Sequence, residues 1–307
     1  RMRRIVQGSF TPRTLERLRP EVYRIVDELL DEAAPRGRIE AISELTFQLP
    51  VRVIAELLGI PTAMREQFKA WSIGVTEFMA TPNPDLAAAE RSQQALLELR
   101  EFFAGEFERR RRDRGEDLIS LLVNAADEGE RLSEEELQST CVTILIGGHE
   151  TTTSLTASAI LELARHPALR DHLRERPERL PLAVEEFLRL EPPFQRILRV
   201  VKQPTEAFGA PFEPGQLVML LLGSANRDPS VFDNPDEIDL DRRNKNHVAF
   251  GHGMHFCLGA GLARLEVPIL LERLLARFPG FTLESGELVW HDGMIRCLEQ
   301  LPIRLEH

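Results

Sequence analysis

A mainly α-helical fold with small β-sheets is what the amino-acid sequence predicts, and three observations carry that prediction. Four long segments in the first two thirds space apolar residues three and four apart, the period of one helix face. After residue 195 the pattern changes to short apolar runs bounded by Pro, Gly and Asn, as strands are. The longest unbroken apolar run, near Leu217–Leu222, is far too short to cross a bilayer, so no membrane is expected as a partner.

The elements follow in order. Arg1-Met2-Arg3-Arg4-Ile5-Val6 reads as the middle of a helix with no capping residue before it, so the chain is expected to begin inside a longer protein. Pro20–Ala34, Glu44–Leu58, Pro61–Met79 and Leu86–Arg111 are the four helical segments. Turns at Pro35-Arg36-Gly37, Gly59-Ile60-Pro61 and Pro82-Asn83-Pro84 separate them. The arginine-rich stretch Glu108–Arg114 reads as a solvated helix end. Ser133 with Glu136 forms a capping box that starts a long helix running to about Arg165. Gly147 and Gly148 interrupt its centre at about 1 kcal/mol each, which implies close approach by something or a local opening of the helix.

A shorter helix spans Leu180–Leu190 and ends at Pro192-Pro193. Arg196–Val201, Glu206–Phe208 and Leu217–Leu222 read as strands, and Ser224–Asn246 as irregular. A last helix runs from Cys257 or Leu258 to about Arg277, and strands near Leu288–Trp290 and Leu301–Leu305 close the chain. The whole reads as one domain over residues 1–304, incomplete at its N-terminus. Leu305-Glu306-His307 reads as the remnant of an expression tag.

The net charge of −11 over 307 residues argues against nucleic acid as the main partner. Cys141, Cys257 and Cys297 are odd in number and widely spaced, so no disulfide framework is expected and a reducing, cytoplasmic setting fits.

The sharpest local signal is Phe250-Gly251-His252-Gly253-Met254-His255-Phe256-Cys257-Leu258-Gly259. Its three glycines force a tight loop before a helix. A cysteine at the helix N-terminus meets a favourable dipole and free N–H groups, which stabilise a thiolate, a good soft metal ligand. Three other readings compete on these residues alone. Cys257 can be a small buried apolar residue. His252, His255 and Cys257 can hold a zinc or non-haem metal, although paired short spacings are missing. The glycines can belong to a dinucleotide loop, although the third glycine and the preceding strand unit are missing.

This decapeptide closely resembles the haem-binding loop of the cytochrome P450 family, F-x-x-G-x-[HR]-x-C-x-G, at Phe250, Gly253, His255, Cys257 and Gly259. The glycine-interrupted helix resembles the family's oxygen motif, [AG]-G-x-[DE]-T-T, at Gly147, Gly148, Glu150, Thr151 and Thr152. Glu186 and Arg189 match its E-x-x-R motif, and Arg242 stands where the family completes that triad. The resemblance spans residue 1 to about Leu305. It implies a fold with a long central helix over the haem and the cysteine loop below it, and haem b as cofactor. Cys257 is then the iron ligand, in a loop that includes Leu258, with Ala263 beyond it on the cofactor side. Phe250 shields the sulfur, His255 and Arg199 take propionates, and Arg3 matches the arginine of the family's H-x-x-x-R motif.

Glu150 and Thr151 are the implied proton-delivering acid–alcohol pair. Glu186, Arg189 and Arg242 form a structural network, and Leu145, Pro193, Phe194, Gln195, Ile197 and Met294 line a substrate pocket. His149, Cys141 and Cys297 are left as structural or pocket-lining. The implied activity is a monooxygenase of the soluble bacterial type. It inserts one atom of O2 into a small organic substrate, with electrons from a ferredoxin or similar donor and its reductase. Arg1, Arg3, Arg4 and Arg264 are the implied docking cations, and a monomer is the default. The alternative is a haem-thiolate protein that uses peroxide, catalyses a different reaction, or only binds haem.

Overall fold

In the computed structural model, which describes residues 1–80, 84–127, 129–284, 286–291 and 294–306, the chain opens with α1 (Met2–Ser9) and α2 (Pro12–Ala33). Thr11 caps α2 by accepting the N–H of Thr14 at 3.2 Å. The helix therefore starts eight residues before Pro20, which the sequence reading took for its beginning. Pro20 lies inside it instead, and Val22, Ile25, Val26, Leu29 and Leu30 form its buried stripe. Strand β1 (Arg38–Glu40) and a π-helical turn (Ile42–Thr46) lead into α3 (Gln48–Leu58). α4 (Arg65–Ala80) and α5 (Leu86–Arg112) pack on one another, and the turn expected at Pro82-Asn83 falls outside the described residues. α6 (Leu118–Asn124), β2 (Ala126–Asp127) and β3 (Glu130–Arg131) follow.

The junction of α3, α5 and α6 corrects one expectation. Arg109, Arg111, Arg112 and Arg114 are exposed as predicted, but Arg110 is 1% exposed. Its guanidinium donates to Asp117 Oδ1 at 2.7 Å and to the Gly59 carbonyl at 2.6 Å, and it pairs with Glu106. Asp117 in turn caps α6, so one buried cation ties three helix ends. Gly59 ends α3 at φ +70°, and a Cβ there would stand 2.5 Å from Asp117 Cβ and 2.8 Å from Arg110 Nη2. Gly59→Ala therefore combines left-handed strain with a clash, and urea unfolding should show a loss of about 2–4 kcal/mol.

α7 (Glu134–Arg165) is the long central helix, about 48 Å at 1.5 Å per residue. Its capping box is formed as the sequence predicts: Ser133 Oγ accepts the Glu136 N–H at 3.2 Å, and Glu136 accepts the Ser133 N–H at 2.9 Å. α8 (Pro167–Glu175) and α9 (Leu180–Leu190) come next. Then follow β4 (Arg196–Val200), β5 (Thr205–Ala207), β6 (Ala210–Phe212), β7 (Leu217–Leu221), α10 (Leu222–Ala225) and α11 (Ala260–Arg277). β8 (Gly280–Leu283) and β9 (Pro302–Glu306) close the chain.

β4 pairs antiparallel with β7, with Arg199 opposite Val218. The three-stranded sheet β1-β9-β8 joins the segment after α2 to the last strands, with Ile39 opposite Ile303 and Phe281 opposite Leu305. Leu305 and Glu306, set outside the fold by the sequence reading, thus extend β9; residue 307 lies outside the described residues. The strand expected at Leu288–Trp290 is present only as a bridge between Trp290 and Leu298. α11 begins at Ala260, two or three residues later than expected, because the cysteine loop closes on itself first. Cys257 N–H donates to the Phe250 carbonyl at 2.8 Å, and Phe256 N–H to that of Gly253 at 3.0 Å. The described helices share one hydrophobic core centred on α2, α3, α7, α9 and α11. Among the described residues no helix is long and apolar enough to cross a membrane.

Candidate active site

A cavity of about 720 Å³ separates the middle of α7 from the cysteine loop, within the range of sites for small organic ligands. Gly147, Thr151, Thr152 and Leu155 form its α7 wall. Phe250, Gly251, His252, His255 and Cys257 form the opposite wall, with Ala263 of α11. Pro193, Phe194, Ile197 and Arg199 close one side with Leu220 and Leu222.

Local sequence explains each wall. Gly251 and Gly253 adopt φ +72° and +68°, a region closed to most side chains, and so fold the loop that brings Cys257 to the cavity. The neighbouring glycines of α7 differ in purpose. Gly147 faces the cavity, with nothing within 4 Å of where its Cβ would be. Gly148 instead faces α3, where a Cβ would stand 2.5 Å from Ile54 Cδ1, so it lines no cavity and permits helix packing. Thr151 Oγ1 donates to the Gly147 carbonyl at 2.7 Å, one turn back.

Several expected positions lie elsewhere. Leu145 is fully buried in the core and lines no part of the cavity, whose α7 wall is Gly147, Thr151, Thr152 and Leu155. Gln195 turns back to donate to the Pro192 carbonyl at 2.8 Å, and Met294 is 57% exposed; neither lines the cavity. Leu258 packs against the core, and Gly259 serves as the N-cap of α11. Glu150 is half-buried outside the cavity lining, close enough to Cys297 to help burial push that thiol up to about 12. Arg3 also stays off the cavity wall and donates to the Phe256 carbonyl, bracing the loop from behind. Sequence reasoning missed Thr152 and Leu155 as lining residues; for Leu155 the four-residue spacing from Gly147 and Thr151 was the available signal.

The thiol of Cys257 also differs from expectation. Burial pushes its pKa up and outweighs the lowering by the Gly259 and Ala260 N–H groups, Arg264 and Arg3.

Beneath the loop, two ionic groups anchor it. Glu186, Arg189 and Arg242 come together as expected and are buried at 3%, 0% and 5% exposure. Arg189 grips Glu186 with two bonds of 2.9 and 3.0 Å, and Arg242 Nε reaches the same carboxylate at 3.1 Å. The remaining guanidinium donors meet backbone carbonyls, including that of Asn226 at 3.1 Å. Asn226 Oδ1 then accepts the N–H of Val248 at 2.8 Å, which carries the network into the cysteine loop.

The second group is Glu185, held bidentately by Arg264 at 2.7 and 2.8 Å and approached by His247 at 3.0 Å. Arg264 also lies 4.6 Å over the Phe250 ring, so this cation, an implied docking residue, braces the loop as well. Arg1 is similarly engaged, by Glu136. Burial opposes ionisation of Glu185, but Arg264 and His247 win and bring its pKa from 4.5 to about 2. A carboxylate with a depressed folded pKa contributes stability above its unfolded value and loses it as pH falls toward the folded one. Glu185→Gln should cost about 3 kcal/mol at neutral pH, and the gap should close between pH 4.5 and 2. Denaturant melts of both proteins across that range check it.

A soft sulfur donor on one wall, hydrogen-bond donors at Arg199 and His255 and apolar sides suit a flat macrocycle carrying iron and two acids. The glycine-thinned helix opposite suits a small gas with a substrate above it. These features define a haem-thiolate oxygenase, and the residues fit haem b.

Comparison with known proteins agrees. The family model described as Cytochrome P450 matches residues 38–288. The putative cytochrome P450 YjiB of Bacillus subtilis is 41% identical over 287 residues, covering 91% of this chain and 71% of that protein. The cytochrome P450 monooxygenase PikC of Streptomyces venezuelae is 40% identical, covering 99% and 73%. The crystal structure of CYP109E1 from Bacillus megaterium in complex with corticosterone superposes with a TM-score of 0.94 at 36% identity, covering 99% and 82%. The chain belongs to the cytochrome P450 family: it is a haem b-dependent monooxygenase that uses O2 and an external electron donor.

Proposed function

We propose that Cys257 would hold the haem iron through its sulfur and that Glu150 and Thr151 deliver the protons that O2 cleavage requires. The observation that carries this reading is the cavity bounded by Thr151 on one wall and Cys257 on the other. Haem b, when bound, supplies the iron at which O2 is activated, and a cysteine thiolate favours cleavage of the O–O bond. Phe250 covers the sulfur side and keeps water from it. Arg199 and His255 take the propionates. Thr151 offers a hydroxyl that exchanges its bond to the Gly147 carbonyl for one to a water, and Glu150 passes protons inward from solvent. Pro193, Phe194 and Ile197 hold a small, largely apolar organic substrate beside Thr151.

A ferredoxin-type donor, replenished by its reductase, docks on a monomer at the face behind the cysteine loop. Arg3 braces that face, and Arg3→Glu is the variant that probes the docking. The reduced holoprotein should give the long-wavelength carbon monoxide band after which the family is named; a short-wavelength band would overturn Cys257 as a thiolate ligand. Thr151→Ala should keep that band and lower product formed per electron pair by up to about 10²-fold, with peroxide released instead. Unchanged coupling would remove Thr151 from proton delivery.

A further inference from the structure

His149 lies between Gly148 and Glu150 yet turns away from the cavity. Its ring is fully buried and stands edge-on to Phe47, with centroids 4.2 Å apart. Its Nδ1 lies 3.1 Å from the hydroxyl of Ser72 on α4, also fully buried, while Nε2 has no hydrogen-bond partner among the described residues. Burial lowers the pKa to about 4, so the ring is neutral at physiological pH.

At about 100° per residue, His149 and Thr151 are roughly 200° apart around α7. The imidazole therefore sits almost directly behind the hydroxyl that faces the cavity. The turn between them is soft. Gly147 and Gly148 add backbone freedom, and the hydroxyls of Thr151 and Thr153 bond to the carbonyls of Gly147 and His149 at 2.7 and 3.0 Å, a pattern that bends helices. A leucine could fill the same hole without an orphaned ring nitrogen, whose burial has a desolvation cost. What leucine lacks is the directional bond to Ser72.

We propose that His149 is a positioning residue, its bond to Ser72 clamping the back of this turn to α4 and setting the angle at which Thr151 meets the cavity and the placement of Glu150 beside it. The inference rests on the acid–alcohol role proposed for that pair, and the test separates the two.

The holoenzyme is reduced by a surrogate ferredoxin and reductase without added substrate, and hydrogen peroxide released per NADPH is measured. Hydrogen–deuterium exchange of the 147–153 amides is followed in parallel. Ser72→Ala and His149→Leu should each raise the peroxide fraction roughly twofold or more, and the double variant should go no further, because one bond is lost in all three. His149→Asn, which keeps a polar atom near the Nδ1 position, should return the fraction to the parental value. Exchange in Ser72→Ala should quicken about fivefold, the factor matching one neutral hydrogen bond. The carbon monoxide band should persist throughout, as the cysteine loop is untouched.

Parental peroxide fraction and exchange in Ser72→Ala, or independent additive effects of the two single variants, would overturn the clamp. Thr151→Ala is the control. If it shifts the peroxide fraction and Ser72→Ala does not, the clamp fails and the acid–alcohol reading stands. If it leaves the fraction unchanged, the acid–alcohol reading fails, and the clamp with it as a device that aims those residues.

Discussion

Alanine at Cys257 is expected to leave a folded protein that has lost the long-wavelength carbon monoxide band and all oxygenation. The two effects separate because the side chain is exposed to the cavity and lies in a loop whose shape is set by other groups. Gly251 and Gly253 provide the turn, the Cys257 N–H bonds through backbone to Phe250, and Arg264 with Glu185 braces the ring of Phe250. None of these uses the sulfur. Unfolding of the haem-free chain should therefore shift by no more than about 0.5 kcal/mol. What disappears is the soft donor that weakens the O–O bond. Cys257→Ser keeps the volume but presents a hard oxygen and should share the spectral loss. A parental band in either variant would place the iron ligand elsewhere.

Glu186→Ala is expected to be the most destabilising single change in the site's scaffold, at about 3–5 kcal/mol by denaturant unfolding. It leaves Arg189 and Arg242 buried with carbonyl partners but no counter-charge. Burial raises the carboxyl's pKa, yet the two arginines and the Asp239 N–H hold it below its ordinary value, so the charged form is the one the fold uses. The loss should reach the cofactor. Arg189 bonds the Asn226 carbonyl, and Asn226 bonds Val248 at the edge of the cysteine loop, so haem retention should fall with stability. Glu186→Gln keeps the shape and should lose less. Equal haem content in the alanine variant would show that the loop stands independently of the network.

Much of this arrangement is legible in the residues themselves, because the signals are local. A capping box, a glycine pair inside a helix, and a Gly-x-Gly turn before a cysteine each act within a few positions. They fix α7 and the loop with little help from the rest of the chain. What the sequence hides is direction and long-range pairing. Leu145 belongs to the same helix as the oxygen motif but is buried in the core among side chains that arrive from other elements. Gln195 satisfies its amide within its own turn. Arg110 looks like its neighbours in an arginine run and is distinguished only by Asp117 and Gly59, which arrive from two other helices. The β1-β9-β8 sheet pairs segments more than two hundred and fifty residues apart, where no local pattern names the partner.

The two glycines of α7 also divide the freedom to change. Position 147 opens onto the cavity, with no protein atom against it, so variation there alters what the chamber admits and leaves the scaffold alone. Position 148 packs on Ile54, and a larger residue there requires that side chain on α3 to shift or shorten. Adjacent residues of one motif thus lie on different evolutionary axes, one coupled to the repertoire of molecules accepted and the other to a partner side chain across a helix interface.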